Sequence, residues 1–523
     1  MNKKVLRPGV TILGGMMYSI LYAFGSAMEK YGTCDMPQTL LKALMLFPLF
    51  SAALWLLFHA EKREGLQDQT QDGHFSAILS FVCILLCWFP MFLIMSPGIF
   101  CVDTPNQLGQ IVTGMYSTHH PLLHTLFLRF CIALRPILGS LNRCAMMYSL
   151  MQMALLAGCF ALTSASIARS CSKRAAKWSV VYFALHPLHM VYSISATKDV
   201  LFSGAFVLCL ALCVEVMQKS SEKQPMKDCR WQYAAAAVSC ILAGLLRNNM
   251  IYALLVWMLI LLAALKIGTA RLFVCTALCI VGIHAGGGLL QDSLQAQAGD
   301  KREMLSWPVQ QLARVRIQAE HLFTEEEKLL LDEIIVKEKW REYDPRISDP
   351  VKGAVYTQNL MDSPKKYIDL YLSIGKKAPQ MYLDAVVALT YQLLYPYERY
   401  NGRFDYAEVS IDPKGFDQCY GAGRVQFNER FAAVRDWLER HIWESGADHV
   451  PVLRWIFNMG WIIWMMLFFV LREAWHGNWR RFVVFLLPVL LWGTFLLGPV
   501  VYSRYVYPFV CCLPVLASHK KDN

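Results

Sequence analysis

Apolar runs of roughly membrane-span length recur along the chain. They lie near 10–28, 39–58, 76–95, 144–167, 178–194, 200–217, 233–247, 250–265, 272–290, 451–471, 481–499 and 503–518. A helix that crosses the hydrocarbon core needs about 20 apolar residues, and several of these runs are shorter. The pattern predicts an all-α polytopic membrane protein of about twelve transmembrane helices with loose boundaries. One long polar stretch, 291–450, interrupts it. The expected organisation is an N-terminal membrane domain (1–290, about nine helices, with an outer loop 96–143 that carries an interfacial helix), an extracytoplasmic helical domain (291–450) and C-terminal membrane helices (451–523).

Within 291–450, Thr324 and Glu327 have capping-box spacing, which predicts a helix running to about Trp340. Residues 365–377 and 378–395 read as amphipathic helices broken by Pro379 and Pro396. Tyr367, Tyr371, Tyr382, Tyr391, Tyr395, Tyr397, Tyr400 and Tyr406 form either an interfacial aromatic belt or stacking surfaces for a sugar or lipid.

Loop charge assigns the sides. Lys3, Lys4 and Arg7; Lys62 and Arg63; Arg169, Lys173, Arg174 and Lys177; Lys219, Lys223, Lys227 and Arg230; Lys266 and Arg271; Arg472, Arg480 and Arg481; and Lys520-Lys521 all read as cytoplasmic. These seven assignments agree if 121–138 does not cross the membrane. His124, Arg129 and Arg135 favour an interfacial helix there. Both termini then face the cytoplasm, and the remaining polar clusters fall on the outer face of a bacterial cytoplasmic membrane.

Composition supports this class. The chain has 523 residues, 56% of them hydrophobic and 17% charged, against about 25% charged in soluble domains. Its net charge of +11 is uneven, because 291–450 carries 21 basic against 26 acidic residues. Basic loops beside anionic lipid account for the excess, and no nucleic-acid partner is expected. Met1-Asn2-Lys3-Lys4 and Arg7 precede an apolar run without a small-residue cleavage site, so the first helix is expected to remain as an anchor. The 17 cysteines lie mostly singly in apolar runs and read as small buried side chains, with no disulfide framework.

The candidate chemistry lies at the expected outer helix ends, where ionisable groups are costly to keep. Asp103, on a loop before Pro105, is either a helix cap or a general base. His120 and His124 are four apart, so a helix begun by Pro121 would place them on one face. They could bind a metal with His119 or Asp103, or hydrogen-bond polar and phosphate groups. His186 and His189 form a second pair with an expected structural role. Lys198 and Asp199, Arg247 with Asn248 and Asn249, and Arg504 could form a pocket for an anionic headgroup. Gln310 and Gln311 suit carbohydrate hydroxyls, or hold the polar domain to the membrane.

These pieces, in order, resemble a family of bacterial polytopic membrane proteins of unknown function. The shared pattern is D-T (Asp103-Thr104), H-H-P-x-x-H-T (His119 to Thr125), K-D-V-L-F (Lys198 to Phe202), R-N-N (Arg247 to Asn249), P-x-Q-Q-x-A-R (Pro308 to Arg314) and S-R-Y-x-Y-P (Ser503 to Pro508), over about 75–510. The layout is also similar to the GT-C glycosyltransferases, in which an early outer loop carries a catalytic Asp and the donor is a polyprenyl-phosphate sugar. That resemblance implies that Asp103 activates an acceptor hydroxyl, while Lys198, Arg247 and Arg504 hold the lipid phosphate. Thr104 stands where many such enzymes carry a second acid nearby, which leaves a divalent cation open.

The expected function is transfer of a sugar from a lipid-linked donor to a cell-envelope glycan, lipid or protein on the outer face. Two alternatives remain at this stage. A lipid or sugar transporter would place polar groups through the midplane, and a metallohydrolase or phosphotransferase would use His119, His120 and His124.

Overall fold

The computed structural model describes residues 3–61, 75–100, 103–221, 229–397, 427–438, 440 and 455–519. Lys62, Arg63, Lys223, Lys227, Lys520, Lys521, Tyr400 and Tyr406, used in the loop and tyrosine readings, lie outside these residues.

The chain order is α1 (Lys3–Tyr31), α2 (Met36–Glu61), α3 (Ala77–Met95), β1 (Ile99–Phe100), α4 (Asp103–Thr113), α5 (Leu122–Ala133), α6 (Arg135–Leu138), α7 (Leu141–Ser170), α8 (Lys173–Leu185), α9 (Pro187–Ser193), β2 (Ser195–Ala196), α10 (Lys198–Ser221), α11 (Arg230–Leu246), α12 (Met250–Ala263) and α13 (Ala270–Leu294). A polar unit follows: α14 (Ser306–Gln318), α15 (Glu325–Ile334), α16 (Asp349–Lys352), α17 (Thr357–Asp362), α18 (Pro364–Lys377) and α19 (Pro379–Thr390). The C-terminal apolar helices are Met459–His476, Trp479–Leu496 and Ser503–Ala517.

Apart from 451–454, which lie outside the described residues, the predicted apolar runs fall on helix except at their ends, with breaks at His186 and Asn458. Pro187 has no amide hydrogen and biases His186 to an extended conformation (φ −69°, ψ 123°), so 178–194 becomes α8 and α9. Seven described helices are long and apolar enough to cross a membrane: α1 from Leu6, α2, α3, α7, α10 as far as Lys219, α13 and Trp479–Leu496. Met250–Ala263 and Ser503–Ala517 are shorter apolar helices. α10 is the central one. It packs on α7, α11 and Ser503–Ala517, and Phe202, Phe206, Leu210 and Val214 bury completely or nearly so along it.

Helix α5 has 12 residues and is about 18 Å long, too short for a hydrocarbon core of about 30 Å. α19 is equally short and packs on α14 within the polar unit. That unit has its own apolar cluster, including Leu312, Leu331, Trp340, Ile374 and Tyr382. The Thr324–Glu327 capping box is formed. The helix it starts ends at Ile334 rather than near Trp340, because Ile335 turns extended and bridges to Val355. The tyrosines are mostly internal: Tyr367, Tyr382, Tyr391 and Tyr395 are buried, and Tyr371 donates to Gln311. Tyr367 and Tyr382 pack the unit's own cluster, and Tyr391 and Tyr395 pack against α1, so these four present no open stacking surface. Arg314 donates to the Gly32 carbonyl at 2.6 Å, and Asp384 accepts from Thr33 and from the Cys34 amide. The unit is thereby tied to the turn between α1 and α2.

Candidate functional site

Two short strands bring the site together. β1 and β2 pair in parallel, with Ile99 opposite Ser195 and Phe100 opposite Ala196. The loops that follow α3 and α9 therefore leave side by side, and Asp103 and Lys198 each open a helix. The approach is close. A Cβ on Gly98 (φ +128°) would lie 1.9 Å from Ser149 Oγ, so only glycine fits. Ser149 donates to the Pro97 carbonyl, and Thr104 donates to the Ala196 carbonyl, fixing both loops.

Five of the sequence-selected charged residues meet there: Asp103, Lys198, Asp199, Arg247 and Arg504. Lys198 Nζ lies 2.9 Å from Asp103 Oδ2, and Arg504 Nη2 lies 3.6 Å from Asp103 Oδ1. Arg504 Nε also lies 3.5 Å from Asp199, which pairs with Arg247. Burial separates their roles. The Asp103 and Lys198 side chains retain 14% and 16% exposure, whereas Asp199 is sealed at 0%. Asp199 is thus an anchor for two guanidiniums, and Asp103 with Lys198 is the part a ligand can reach. Aromatic faces complete the seat. Arg247 stands 4.4 Å from the Phe495 ring centre and 4.7 Å from that of Tyr505, and Arg504 lies 5.2 Å from that of Tyr505. Such cation–π contacts hold arginines without consuming their charge.

The two histidines part company. His120 precedes α5, and its Nδ1 faces Lys198 Nζ at 3.2 Å. His124 is fully buried one turn into α5, with Nδ1 2.8 Å from Gln107 and Nε2 2.7 Å from the Tyr148 hydroxyl. Tyr148 donates to Gln152, whose amide donates to the carbonyls of Tyr192, Ser193 and Ser195. The possible metal pair does not fit these contacts, since both ring nitrogens of His124 are committed inside the fold. Its position is structural: it links α4, α5 and α7 to the strand that delivers Lys198. Gln107, Tyr148 and Gln152 carry no motif of their own, and sequence reading missed them.

A cavity of about 530 Å³ opens over the pair. His119, His120, Asn248 and Asn249 line it, beside Asp103, Lys198, Arg247 and Arg504. Its opposite wall comes from the polar unit and its leading segment: Arg302, Glu303, Asp349 and Lys352. Lys352 lies 2.7 Å from both Glu303 and Asp349, so that wall is nearly self-neutralised. Gln310 and Gln311 are not in the cavity. Gln310 donates to the Asp344 carbonyl and Gln311 to that of Tyr382 at 3.1 Å, so both hold the polar unit together.

The electrostatics favour an anion. Burial on its own would raise the Asp103 carboxyl, but Lys198 and Arg504 together hold it far below the usual carboxylate range. Burial, reinforced by Lys198, pushes His120 down to about 3, so the ring is neutral at pH 7. Three cations then stand against two carboxylates. A divalent cation does not suit this donor set. Hard cations take several oxygen ligands, and here the reachable carboxylate is already flanked by an ammonium and a guanidinium. Among the described residues, no group of three or more His, Cys, Asp or Glu is placed to hold a metal.

Fold and site together define a helical protein of membrane-spanning character with a cation-rich cavity at one end of its bundle. Residues 110–520 match the family of unknown function DUF6020, and the chain belongs to that family. No curated protein and no solved structure matches it.

Proposed function

We propose that the protein is an integral-membrane glycosyltransferase of GT-C type, with about twelve transmembrane helices and the cavity on the outer face of the cytoplasmic membrane. The donor is a polyprenyl-phosphate sugar and the acceptor a cell-envelope hydroxyl. The observation that carries this reading is the partly open Asp103–Lys198 pair, backed by Arg504 and Arg247, at the floor of a cavity walled on one side by a polar unit. The loop charges support the sidedness.

In this reading the acceptor oxygen attacks the anomeric carbon, the bond from that carbon to the phosphate oxygen breaks, and the acceptor proton passes to Asp103. Negative charge grows on the departing lipid phosphate, where Lys198, Arg504 and Arg247 stabilise it more in the transition state than in the ground state. The low basicity of Asp103 beside Lys198 and Arg504 fits this coupling. A phosphate that draws Lys198 and Arg504 toward itself removes the charges that suppress the carboxylate, so the base becomes competent only when donor is bound. The test is transfer from radiolabelled polyprenyl-phosphate sugars to a cell-envelope acceptor fraction by purified protein. Label moved by wild type and not by Asp103→Asn supports the reading, and absence of transfer from every lipid donor by folded protein rejects it.

A further inference from the structure

A second cavity, of about 290 Å³, lies against the first. The two share His120, Pro121 and Asn248 as a common partition. Away from that partition the walls are mainly apolar: Leu245 and Gly244 of α11, Ile251 of α12, and Ile283, Gly287 and Gly288 of α13, with Thr118, His284 and Gln291 as the polar exceptions. α13 is one of the helices suited to cross a membrane, yet only 22% of its apolar window is buried, so this side of the bundle faces hydrocarbon. From Gln291 to Ile283 the groove follows α13 for about 12 Å. Its upper end is held level with the charged site, because Gln297, just beyond α13, exchanges backbone hydrogen bonds with Tyr116 and Thr118. The groove is real space: a Cβ added at Gly287 or Gly288 would meet nothing within 4 Å.

We propose that this groove is a lateral portal that seats the hydrocarbon chain of a phosphate-headed lipid, with the headgroup passing the His120–Asn248 partition into the cationic cavity. Two observations choose that occupant. The groove is mainly apolar along an exposed apolar helix, and it leads directly to a surplus of buried positive charge. A free phosphate has no use for the groove, and a neutral lipid none for Lys198, Arg247 and Arg504. The proposal rests on the functional reading above only in taking the bound lipid as a substrate.

Gly287→Leu tests it. A Cβ at this groove-lining position meets nothing within 4 Å, and leucine favours helix over glycine, so the fold is retained. Binding of a long-chain polyprenyl phosphate and of a short, water-soluble alkyl phosphate would be measured by native mass spectrometry in detergent, with thermal unfolding as the control for folding. Blocking the groove removes chain contacts worth at least two methylenes, so long-chain affinity should fall about tenfold while the short phosphate binds as to wild type. Gly288→Leu should do the same. Arg504→Gln should weaken both ligands. Unchanged long-chain binding in both folded glycine variants overturns the portal, as does equal loss of both ligands. If long-chain binding falls as expected but wild type transfers no sugar from any donor, the portal stands and the transferase reading fails.

Discussion

Lys198 and Asp103 each occupy the first residue of a helix, and a 2.9 Å ion pair joins them across the two-stranded β pair. The carboxylate at the start of α4 complements that helix's dipole, whereas the ammonium at the start of α10 opposes the dipole of its own. Lys198 is therefore held by Asp103 and by the fold, against local preference. A charge kept where it is locally unfavourable, and partly open to a cavity, is a functional candidate.

The first prediction concerns Asp103→Asn. The change is nearly isosteric and removes one negative charge beside Lys198 and Arg504. Transfer should fall at least about a hundredfold, the usual scale for losing a general base. Affinity for a lipid phosphate should rise, because the carboxylate competes with that phosphate for the same cations. Activity and phosphate binding measured on one preparation separate the two effects. Loss of both together would mean that Asp103 organises the site and does not act on the acceptor.

Asp199 should behave differently. It is sealed, and it faces both Arg247 and Arg504. Asp199→Asn leaves two buried guanidiniums short of a counter-charge, a change expected to cost about 3–5 kcal/mol. Thermal unfolding in detergent should drop sharply. Adding Arg247→Met should recover part of the loss, since it removes one of the stranded charges. A variant as stable as wild type would show that the aromatic rings and Asp103 hold the arginines without Asp199.

Acid should destabilise the protein through its buried histidines. Burial, aided by Lys198, depresses both His120 and His124 from an ordinary 6.5 to about 3. Between those values the unfolded chain takes up protons that the folded chain refuses, so stability rises with pH through this window and is level above about pH 7. By pH 5 each such histidine accounts for about 2 kcal/mol. Asp103 has the usual carboxylate behaviour, its contribution being lost only below the ordinary Asp range, so it does not add to the slope near pH 6. His124→Gln should reduce the fall in unfolding temperature between pH 7 and pH 5. A profile that is flat in wild type would rule this out.

The site residues were legible in the sequence because each stands at the end of an apolar run, where a charge needs a reason. Lys198, Arg247 and Arg504 were selected on that ground, and they do converge with Asp103. Their geometry was not legible. It depends on a pairing of two-residue strands nearly a hundred positions apart, which leaves no periodic trace. His124 was misread for a related reason. Spacing places it on a helix face but does not say that Gln107 and Tyr148 wait on that face. The internal role of Gln310 and Gln311 was hidden because a glutamine that satisfies a backbone carbonyl and one that binds a sugar look alike in sequence.

That last distinction gives a final prediction. Gln311 accepts from Tyr371, donates to the Tyr382 carbonyl and sits one turn before Arg314, which grips the Gly32 carbonyl. Gln311→Ala would take the acceptor from the half-buried Tyr371 hydroxyl and a side-chain donor from the Tyr382 carbonyl, at a cost of about 1–3 kcal/mol. The polar unit should loosen, which hydrogen exchange across α14, α18 and α19 would detect, while the KM for the lipid donor stays close to that of wild type because the residue does not line the cavity. A selective rise in donor or acceptor KM with unchanged exchange would instead place Gln311 against substrate, and would require the polar unit to rearrange when the cavity fills.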